Sequence, residues 1–347
     1  MSRLETVSII IPTIVRLRSL RETLRSLAEA ACDEIQLDVA VSVNTEPSAL
    51  FDELLAEGYP FTIRLFFEPR TGKAFALNRA LDQHPELGEI VAVLDDDITV
   101  SEKWLRNVVA ITRRWPDHYF FTGTSYIIWQ ERDIPEWVSK GNLYGWAYSI
   151  FGSAKEREIP ADKWASGNHF WFRREAIADG RRFANYECDA KTHLEMAEPD
   201  FMMRLSLEGK RGIVSPHAVC GHRIQPQLLQ LDELERRAIR TGRCFGRVLL
   251  FPYRETIPAA RKFARHPLKT RVRCLLAIAK WKSLRWWHGL TYQSSAAIAQ
   301  RLDATVFLYQ NIEMLRVSRE LHPYAKTSPV ARAGHVSIRA QTSPGNG

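Results

Sequence analysis

Strand-like and helix-like segments alternate through the first 114 residues, and this alternation constrains the fold more than any other feature of the sequence. Short apolar runs predict strands, and leucines spaced three or four residues apart predict helices. The predicted strands are 7–11, 37–43, 61–67 and 90–94, and the predicted helices are 16–31, 48–57, 73–83 and 101–114. A β-α-β-α order favours an α/β fold with a doubly wound, mostly parallel, Rossmann-like sheet. We expect Pro12 to end the first strand, and Ser48 and Ser101 to cap their helices.

Three consecutive aspartates, Asp95, Asp96 and Asp97, follow the fully apolar strand 90–94. Ligands of doubly wound sheets bind beyond the carboxyl ends of the strands, where these residues fall. Adjacent carboxylates repel one another, and such a placement is favourable mainly when a cation neutralises them. Oxygen ligands of this kind suit Mg²⁺ or Mn²⁺. The alternative is a solvated acidic turn, since aspartate is common in turns.

The sequence changes character after residue 115. Aromatic-rich segments with glycines over 120–150 predict antiparallel strands and mobile loops, and 212–220 is strand-like. Beyond residue 224 the pattern is helical through residue 321, with Pro252, Pro258 and Pro267 as breaks. We therefore predict a domain over 1–225 in two halves, about 1–115 and 116–225, a helical region over 226–322, and a disordered tail over 323–347.

The net charge of +8 is unevenly distributed. From Arg236 onward there are 21 Lys and Arg against 4 Asp and Glu, whereas the preceding part has 27 basic and 36 acidic residues. This basic region indicates an anionic partner, either membrane phospholipid or nucleic acid. No apolar stretch is long enough to span a bilayer, and the five cysteines show no CxxC spacing. We expect a cytoplasmic protein with reduced thiols.

Six ordered segments resemble the motifs of family 2 glycosyltransferases, which have the GT-A fold. The segments are Val7-Ser-Ile-Ile-Ile-Pro-Thr13, Val43-Asn-Thr-Glu-Pro-Ser48, Glu68-Pro-Arg-Thr-Gly-Lys-Ala-Phe-Ala-Leu-Asn-Arg79, Ile90-Val-Ala-Val-Leu-Asp-Asp-Asp97, Ser166-Gly-Asn-His-Phe-Trp-Phe-Arg-Arg174 and Glu198-Pro-Asp-Phe-Met-Met-Arg-Leu205. The fourth resembles the metal-binding DxD strand of the family, and the last resembles the stretch that holds its catalytic base. Each motif is weak alone, but the ordered set over about residues 7–245 is specific.

The resemblance implies an inverting, metal-dependent hexosyltransferase-type enzyme with the nucleotide-sugar half at 1–115 and the acceptor half at 116–225. It would move a sugar from a nucleoside-diphosphate donor to a hydroxyl acceptor, in polysaccharide or lipid-linked oligosaccharide biosynthesis at the cell surface. The implied metal, Mg²⁺ or Mn²⁺, would be held by Asp97 and Asp95 and completed by His222. A base would deprotonate the acceptor hydroxyl.

Two positions depart from the family pattern. Asn44 stands where the family usually has an aspartate that contacts the nucleobase, which leaves the donor base open. Glu198 stands at the position of the catalytic base, usually an aspartate, and Asp200 is the alternative. The remaining substrate-binding candidates adjoin these motifs, and they are Pro12, Thr13, Asn44, Glu46, Arg70, Lys73, Asn78, Asp95, Asp96, Gly167, Asn168 and Arg223.

Two stretches near the C-terminus combine cations with other functional side chains. Arg236, Arg237 and Arg243 either reach phosphates or are solvated. In the stretch 280–290, tryptophans 281, 286 and 287 alternate with Lys and Arg, as in helices that lie on anionic membrane surfaces. The alternative is a helix packed on the catalytic domain. A peripheral position at the inner face of the membrane is therefore one expectation.

Three rival functions follow from the same sequence. A sugar nucleotidyltransferase would use a similar nucleotide site but usually has a Gly-rich loop after the first strand, where this chain has none. A nucleic-acid binder fits the pI near 9.3 but leaves the aspartates unexplained, and we expect no nucleic-acid partner. A catalytically degenerate member of the family fits the two departures above.

Overall fold

The computed structural model describes residues 5–14, 16–47, 51–160, 163, 165–184, 196–248, 267–290 and 294–321. The strands are β1 Glu5–Thr13, β2 Ile35–Val43, β3 Thr62–Phe67, β4 Ile90–Leu94, β5 Ile98–Val100, β6 Phe120–Trp129, β7 Arg157–Ile159, β8 His169–Arg173 and β9 Gly212–Ile224. The α-helices are α1 Leu17–Ala30, α2 Asp52–Ala56, α3 Lys73–Gln83, α4 Trp104–Arg114, α5 Leu143–Trp146, α6 Ala197–Leu207, α7 Leu231–Val248, α8 Pro267–Leu290 and α9 Ser295–Leu321. The predicted tail 323–347, the cap Ser48, and Pro252 and Pro258 lie outside the described residues.

The first four strands form a parallel half of the sheet in the order β3-β2-β1-β4. Their side chains are apolar on both faces because helices cover both sides of the sheet. Leucines of α1 and Trp104 of α4 pack on one face, and Leu77 of α3 and Phe201 of α6 pack on the other. The predicted alternation of strands and helices is therefore confirmed, and α3 and β4 have the predicted bounds.

Two boundary predictions were wrong. Pro12 does not end the first strand but pairs with Ser42, and the strand continues to Thr13. At this end β1 pairs with β2 alone, so the missing N–H of proline does not interrupt a ladder on its other side. Ser101 does not cap α4, which begins at Trp104, because its backbone N–H donates to the Val219 carbonyl beside the short strand β5.

The remaining strands form a mixed half in the order β8-β6-β9-β5, which joins the parallel half where β8 pairs antiparallel with β4. β7 pairs with the start of β9. Residues 95–97 alone connect β4 to β5, and three residues span roughly 10 Å, so the far edge of the sheet must curl back toward β4. A register shift between Thr122 and Thr124 lies in the β6–β9 ladder. A Cβ at Gly123 would lie 1.9 Å from the Ala218 carbonyl oxygen, so this bend requires glycine.

Beyond β9, the long helices α7 and α8 both pack against α9. This agrees with the predicted helical C-terminal region. Pro267 is the first residue of α8, where its missing N–H costs no helical hydrogen bond, so it begins a helix instead of breaking one. Within the described residues, no helix is both long and apolar enough to cross a membrane. Among the described residues, Cys32, Cys220 and Cys274 are free thiols.

Candidate active site

A cavity of about 1170 Å³ opens at the carboxyl ends of the parallel strands and extends between the sheet and the C-terminal helices. Its walls combine the ends of β1, β2 and β4 with the residue 141–151 loop, the start of α6, and side chains of α7 and α9. The sequence-predicted residues that line it are Pro12, Thr13, Asn44, Lys73, Asp95, Asp96, Asp97, Gly167, Asn168, Glu198 and His222. Residues from seven separated segments thus converge on one space.

Asp96 is the most firmly held of the three aspartates. Thr13 Oγ1 donates to its carboxylate at 2.5 Å, and Arg16 Nη1 lies 3.4 Å from it. The Asp96 carbonyl accepts hydrogen bonds from the hydroxyls of Ser19 and Thr23 in α1, at 2.8 and 2.9 Å. Burial raises the pKa of Asp96 and the Asp97 carboxylate raises it further, whereas the Arg16 guanidinium lowers it, and together they raise this pKa to about 6. Asp96 therefore anchors residues 95–97, hereafter the acidic loop, to the first βα unit.

Asp97 and His222 form the second contact of the acidic loop. His222 Nε2 lies 3.4 Å from Asp97 Oδ1, and His222 Nδ1 lies 2.7 Å from the Tyr148 carbonyl. Because a carbonyl can only accept, Nδ1 carries a proton and Nε2 of the neutral ring is directed at Asp97. Burial would lower the pKa of His222, but the Asp97 carboxylate outweighs it and raises that pKa. Burial would raise the pKa of Asp97, but His222 and Arg16 lower it.

Lys73, at the start of α3, joins Asp95 to Glu198. Its ammonium forms ion pairs with the carboxylates of both residues. Burial opposes the charge of Lys73, but the two carboxylates raise its pKa above the usual range. Burial raises the pKa of Asp95, which Asp97 and Glu198 raise further and Lys73 lowers. The lysine thus connects the β4 end to the first turn of α6.

Glu198 is buried in the first turn of α6 and faces the cavity, with a side chain 4% exposed. A Cβ at Gly167 would lie 2.7 Å from the Glu198 Cβ, so glycine is required for this approach. Asp200 points elsewhere: it is fully buried and its carboxylate pairs with Arg204 Nε at 2.7 Å. Of the two candidate bases, only Glu198 lines the cavity. The helix begins at Ala197 and includes both candidates.

Asn44 and Asn168 are fixed by backbone contacts at the cavity wall. Asn44 Nδ2 donates to the Arg70 carbonyl at 2.9 Å, which leaves Oδ1 as the acceptor. Asn168 Nδ2 donates to the Ser149 carbonyl at 3.1 Å, and the Asn168 carbonyl accepts the Asp95 N–H at 3.0 Å. Asn168 therefore ties the 141–151 loop to the acidic loop.

Four of the predicted substrate-binding residues, Glu46, Arg70, Asn78 and Arg223, do not line the cavity. Glu46 is exposed on the loop after β2. Arg70 pairs with Glu68 through two hydrogen bonds of 2.7 Å and lies over the Phe75 ring. Asn78 makes a reciprocal pair of hydrogen bonds with the Phe183 backbone, at 2.9 and 2.8 Å. The geometry gives Arg70 and Asn78 roles in holding loops in place.

Arg223, also predicted to bind substrate, lies behind the acidic loop and does not line the cavity. It is 4% exposed, and burial lowers its pKa against the effect of the nearby carboxylates. Its guanidinium pairs with Glu22 at 3.0 Å. It also donates to the carbonyls of Ser19, Asp96 and Ile98 and to the hydroxyls of Thr23 and Thr99. Arg223 therefore holds the acidic loop in place from the side that faces away from the cavity.

The donor set at the acidic loop fits a hard divalent cation that a substrate helps to bind. Asp97 Oδ1 is buried without a hydrogen-bond partner among the described residues, and it faces His222 Nε2. Within the ranges that the structure describes, the four carboxylates of residues 95–97 and 198 form ion pairs with only two side chains that are always cationic, Arg16 and Lys73, so negative charge is in excess here. In the described part of the chain, no three His, Cys, Asp or Glu side chains form a preformed metal cage. Mg²⁺ and Mn²⁺ commonly take one or two carboxylates and complete their shell with phosphate oxygens and water.

The helical region supplies cavity residues that the sequence did not identify. Asp303 of α9 accepts hydrogen bonds from the Asn142 N–H at 3.1 Å and from Trp146 Nε1 at 2.8 Å, which fixes the 141–151 loop. Arg240 of α7 also lines the cavity and pairs with Glu233. Arg237, which the sequence offered as a phosphate contact, lines it as well. Arg236 pairs with Glu233 and Arg243 lies over Tyr309, and neither lines the cavity. Asp303 is a single acidic residue in a helical segment, and no sequence motif around it marks it as a site residue.

Comparisons with known proteins show what this chain is similar to. The family described as Glycosyl transferase family 2 matches residues 8–181. A curated relative, the succinoglycan biosynthesis protein ExoM of Rhizobium meliloti (strain 1021), is 29% identical over 252 residues, covering 66% of this chain and 71% of that protein.

Among solved structures, the mannosyltransferase PcManGT from Pyrobaculum calidifontis, in complex with GDP-Man and Mn²⁺, is similar with a TM-score of 0.55. It is 17% identical, and the match covers 90% of this chain and 88% of that one. TarS of S. aureus, solved in complex with UDP-GlcNAc, has a TM-score of 0.46 at 13% identity, covering 92% of each chain. The α/β GT-A fold with a helical C-terminal region is thereby confirmed.

Proposed function

Because this chain belongs to glycosyl transferase family 2, we propose that it is an inverting glycosyltransferase that uses a nucleoside-diphosphate sugar and a divalent cation. That it is a glycosyltransferase follows from the family. The observation that carries the finer proposal is one cavity in which Asp97 and His222 face each other and Lys73 joins Asp95 to Glu198. The mannosyltransferase neighbour was solved with GDP-Man and Mn²⁺, and TarS with UDP-GlcNAc, which supports this class of donor.

Asp97, His222 and Asp95 would hold Mg²⁺ or Mn²⁺, which neutralises the diphosphate leaving group when bound. Lys73 stands beside the same carboxylates, so its ammonium is in reach of a phosphate oxygen. Thr13, Asn44 and Asp96, at the ends of β1, β2 and β4, would contact the nucleoside. Asn44 Oδ1 can accept a hydrogen bond from a base N–H where the family usually has a carboxylate.

Glu198 would act as the base. It lines the cavity, whereas Asp200 is held by Arg204 and does not. In a single in-line displacement, the acceptor oxygen gives its proton to Glu198 and bonds to the anomeric carbon. The bond from that carbon to the diphosphate oxygen breaks, and the nucleoside diphosphate leaves.

We also propose the division into a catalytic domain over 1–225 and a helical region over 226–322 that completes the acceptor side of the cavity. The succinoglycan relative supports an acceptor that is a growing polysaccharide.

The first test is a thermal-shift titration of the purified chain with UDP, GDP, TDP and CMP, with and without Mn²⁺. We expect one diphosphate to raise the melting temperature by several degrees only when Mn²⁺ is present, because ligand binding to the native state stabilises it. Asp97→Ala should abolish this shift, and the exposed matched change Asp33→Ala should retain it. No shift with any nucleotide would overturn the proposal. Consumption of a nucleoside triphosphate with a sugar phosphate would favour nucleotidyl transfer instead.

A further inference from the structure

The outward side of α8 carries a stripe of large apolar side chains that are 48–75% exposed. At 100° per residue they fall within about 100° of the helix circumference, which places them along one side of the helix. The members are Leu268, Val272, Leu275, Leu276, Trp286 and Leu290. Exposed apolar surfaces of this extent mark interaction sites in soluble proteins.

The opposite side of α8 is the one that packs on the protein. Cys274 is buried there, and the Trp281 ring stacks on Phe307 of α9 with centroids 4.9 Å apart. Of the three tryptophans that we predicted to contact a membrane, Trp281 is therefore a packing residue. Trp286 and Trp287 are 66% and 59% exposed. The helix thus has two apolar sides, of which the structure explains one.

Cations border the exposed stripe. At 100° per residue, Lys269, Arg273 and Lys280 follow one border and Lys282 lies on the other, and all four are exposed. The 24 residues of α8 contain six Lys and Arg and no Asp or Glu. An apolar stripe between cationic borders is typical of helices that lie in the headgroup region of anionic bilayers.

We propose that α8 docks this chain on the surface of an anionic phospholipid bilayer, with its apolar stripe among the headgroups and its lysines and arginines on lipid phosphates. Charge decides against a second copy of the chain, since a symmetric contact through α8 would place cations on cations. Nucleic acid would match the cations and leave the large apolar stripe unexplained.

The docked orientation places the candidate active site at the membrane. A cavity of about 240 Å³ between α8 and α9 is lined by Trp281 and Leu284, and it shares Asn142, Asp303 and Phe307 with the larger cavity. The inner side of α8 therefore lies beside the wall that the two cavities share. Resting on the proposed function, this arrangement favours an acceptor presented at a bilayer surface.

Vesicle flotation of the full chain tests the proposal. We expect binding to phosphatidylcholine vesicles containing phosphatidylglycerol, weakened by salt, and little binding to phosphatidylcholine alone. Leu276→Ser with Trp286→Ser should weaken binding at least about tenfold. Lys269→Glu, Arg273→Glu and Lys280→Glu together should weaken it at least about a hundredfold, at about fivefold for each cation lost.

Matched controls change the same residue types elsewhere on the surface. Leu55→Ser with Tyr126→Ser, and the triple change Lys103→Glu, Arg132→Glu and Lys155→Glu, remove exposed side chains outside α8 and should leave vesicle binding unchanged. Equal binding to neutral and anionic vesicles, or no loss in the α8 variants, would overturn the proposal. So would a dimer in sedimentation equilibrium that the same α8 variants dissociate. The Mn²⁺-dependent nucleotide shift, measured on every variant, reports the donor site separately.

Discussion

The parallel half of the sheet, β3-β2-β1-β4, and the mixed half, β8-β6-β9-β5, differ in how far apart in the chain their paired strands lie. In the parallel half, β1 pairs with β2 and β2 pairs with β3 across single βα units, and only β1 and β4 lie some 80 residues apart. In the mixed half, β6 pairs with β9 more than 90 residues later and β5 pairs with β9 more than 100 residues later. The parallel half carries the acidic loop. Residues after the parallel half, Glu198 and His222, complete the cavity around it. The chemistry therefore depends on contacts that local structure does not specify.

The largest expected effect is on the base. Glu198→Gln keeps the size of the buried side chain but removes the proton acceptor, so kcat should fall about a thousandfold. Nucleotide binding with Mn²⁺ should persist, because the parallel half is intact. Steady-state release of nucleoside diphosphate measures the first quantity and thermal shift the second. Glu102→Gln, at an exposed position, is the control. Unchanged turnover in Glu198→Gln would mean that Glu198 is not the base.

The second-largest effect is expected at the bend around Gly123. Gly123→Ala forces a Cβ onto the Ala218 carbonyl, which should cost about 3 kcal/mol of unfolding free energy and shift β9. Since β9 carries His222, nucleotide binding with Mn²⁺ should weaken as well. Urea unfolding and thermal shift measure the two effects. At Gly289 a new Cβ would meet no atom within 4 Å, so Gly289→Ala should be neutral. A Gly123→Ala protein with native stability would show that the bend tolerates a side chain.

Acid should weaken the mixed half through His169 of β8. This residue is fully buried, and burial lowers its pKa to about 4. Because the histidine pKa is lower in the folded protein, the unfolded chain binds the proton at a higher pH than the folded protein does. The contribution of His169 to the unfolding free energy is therefore full above about pH 6.5 and decreases as the pH drops toward 4. The loss should reach about 3 kcal/mol at the acid end. Urea unfolding between pH 7.5 and 4.5 should be less pH-dependent in His169→Gln. The exposed change His217→Gln should keep the wild-type slope, and an equal slope in all three proteins would contradict the prediction.

The smallest effect distinguishes loop positioning from substrate contact. Asn78→Ala removes both hydrogen bonds to the Phe183 backbone and should lower the unfolding free energy by about 1–2 kcal/mol. KM for the donor should stay within about twofold, since Asn78 does not line the cavity. A large rise in KM at unchanged stability would restore the original assignment of Asn78 to substrate binding.

Sequence patterns predicted the parallel half nearly residue by residue because its strands are short buried runs between amphipathic helices. The acidic loop followed from its position after β4. The bend at Gly123 had no such signal, since a glycine in an aromatic-rich stretch fits several turns. The roles of Arg223 and Asn78 were also inaccessible, because a motif position does not show which way a side chain points. Glu198 and Asp200 stand two residues apart, and only the rotation of α6 distinguishes them.

Arg223 has a consequence for how the protein is made. This one guanidinium binds α1, β5 and the acidic loop, although some 200 residues separate it from Ser19. During synthesis, the first hundred residues leave the ribosome with all three aspartates but without Arg223, whose guanidinium donates to the Asp96 carbonyl and whose backbone N–H donates to the Asp97 carbonyl. A nascent chain shorter than residue 223 therefore lacks this support, and the acidic loop gains it only once the last strand of the sheet is being synthesised.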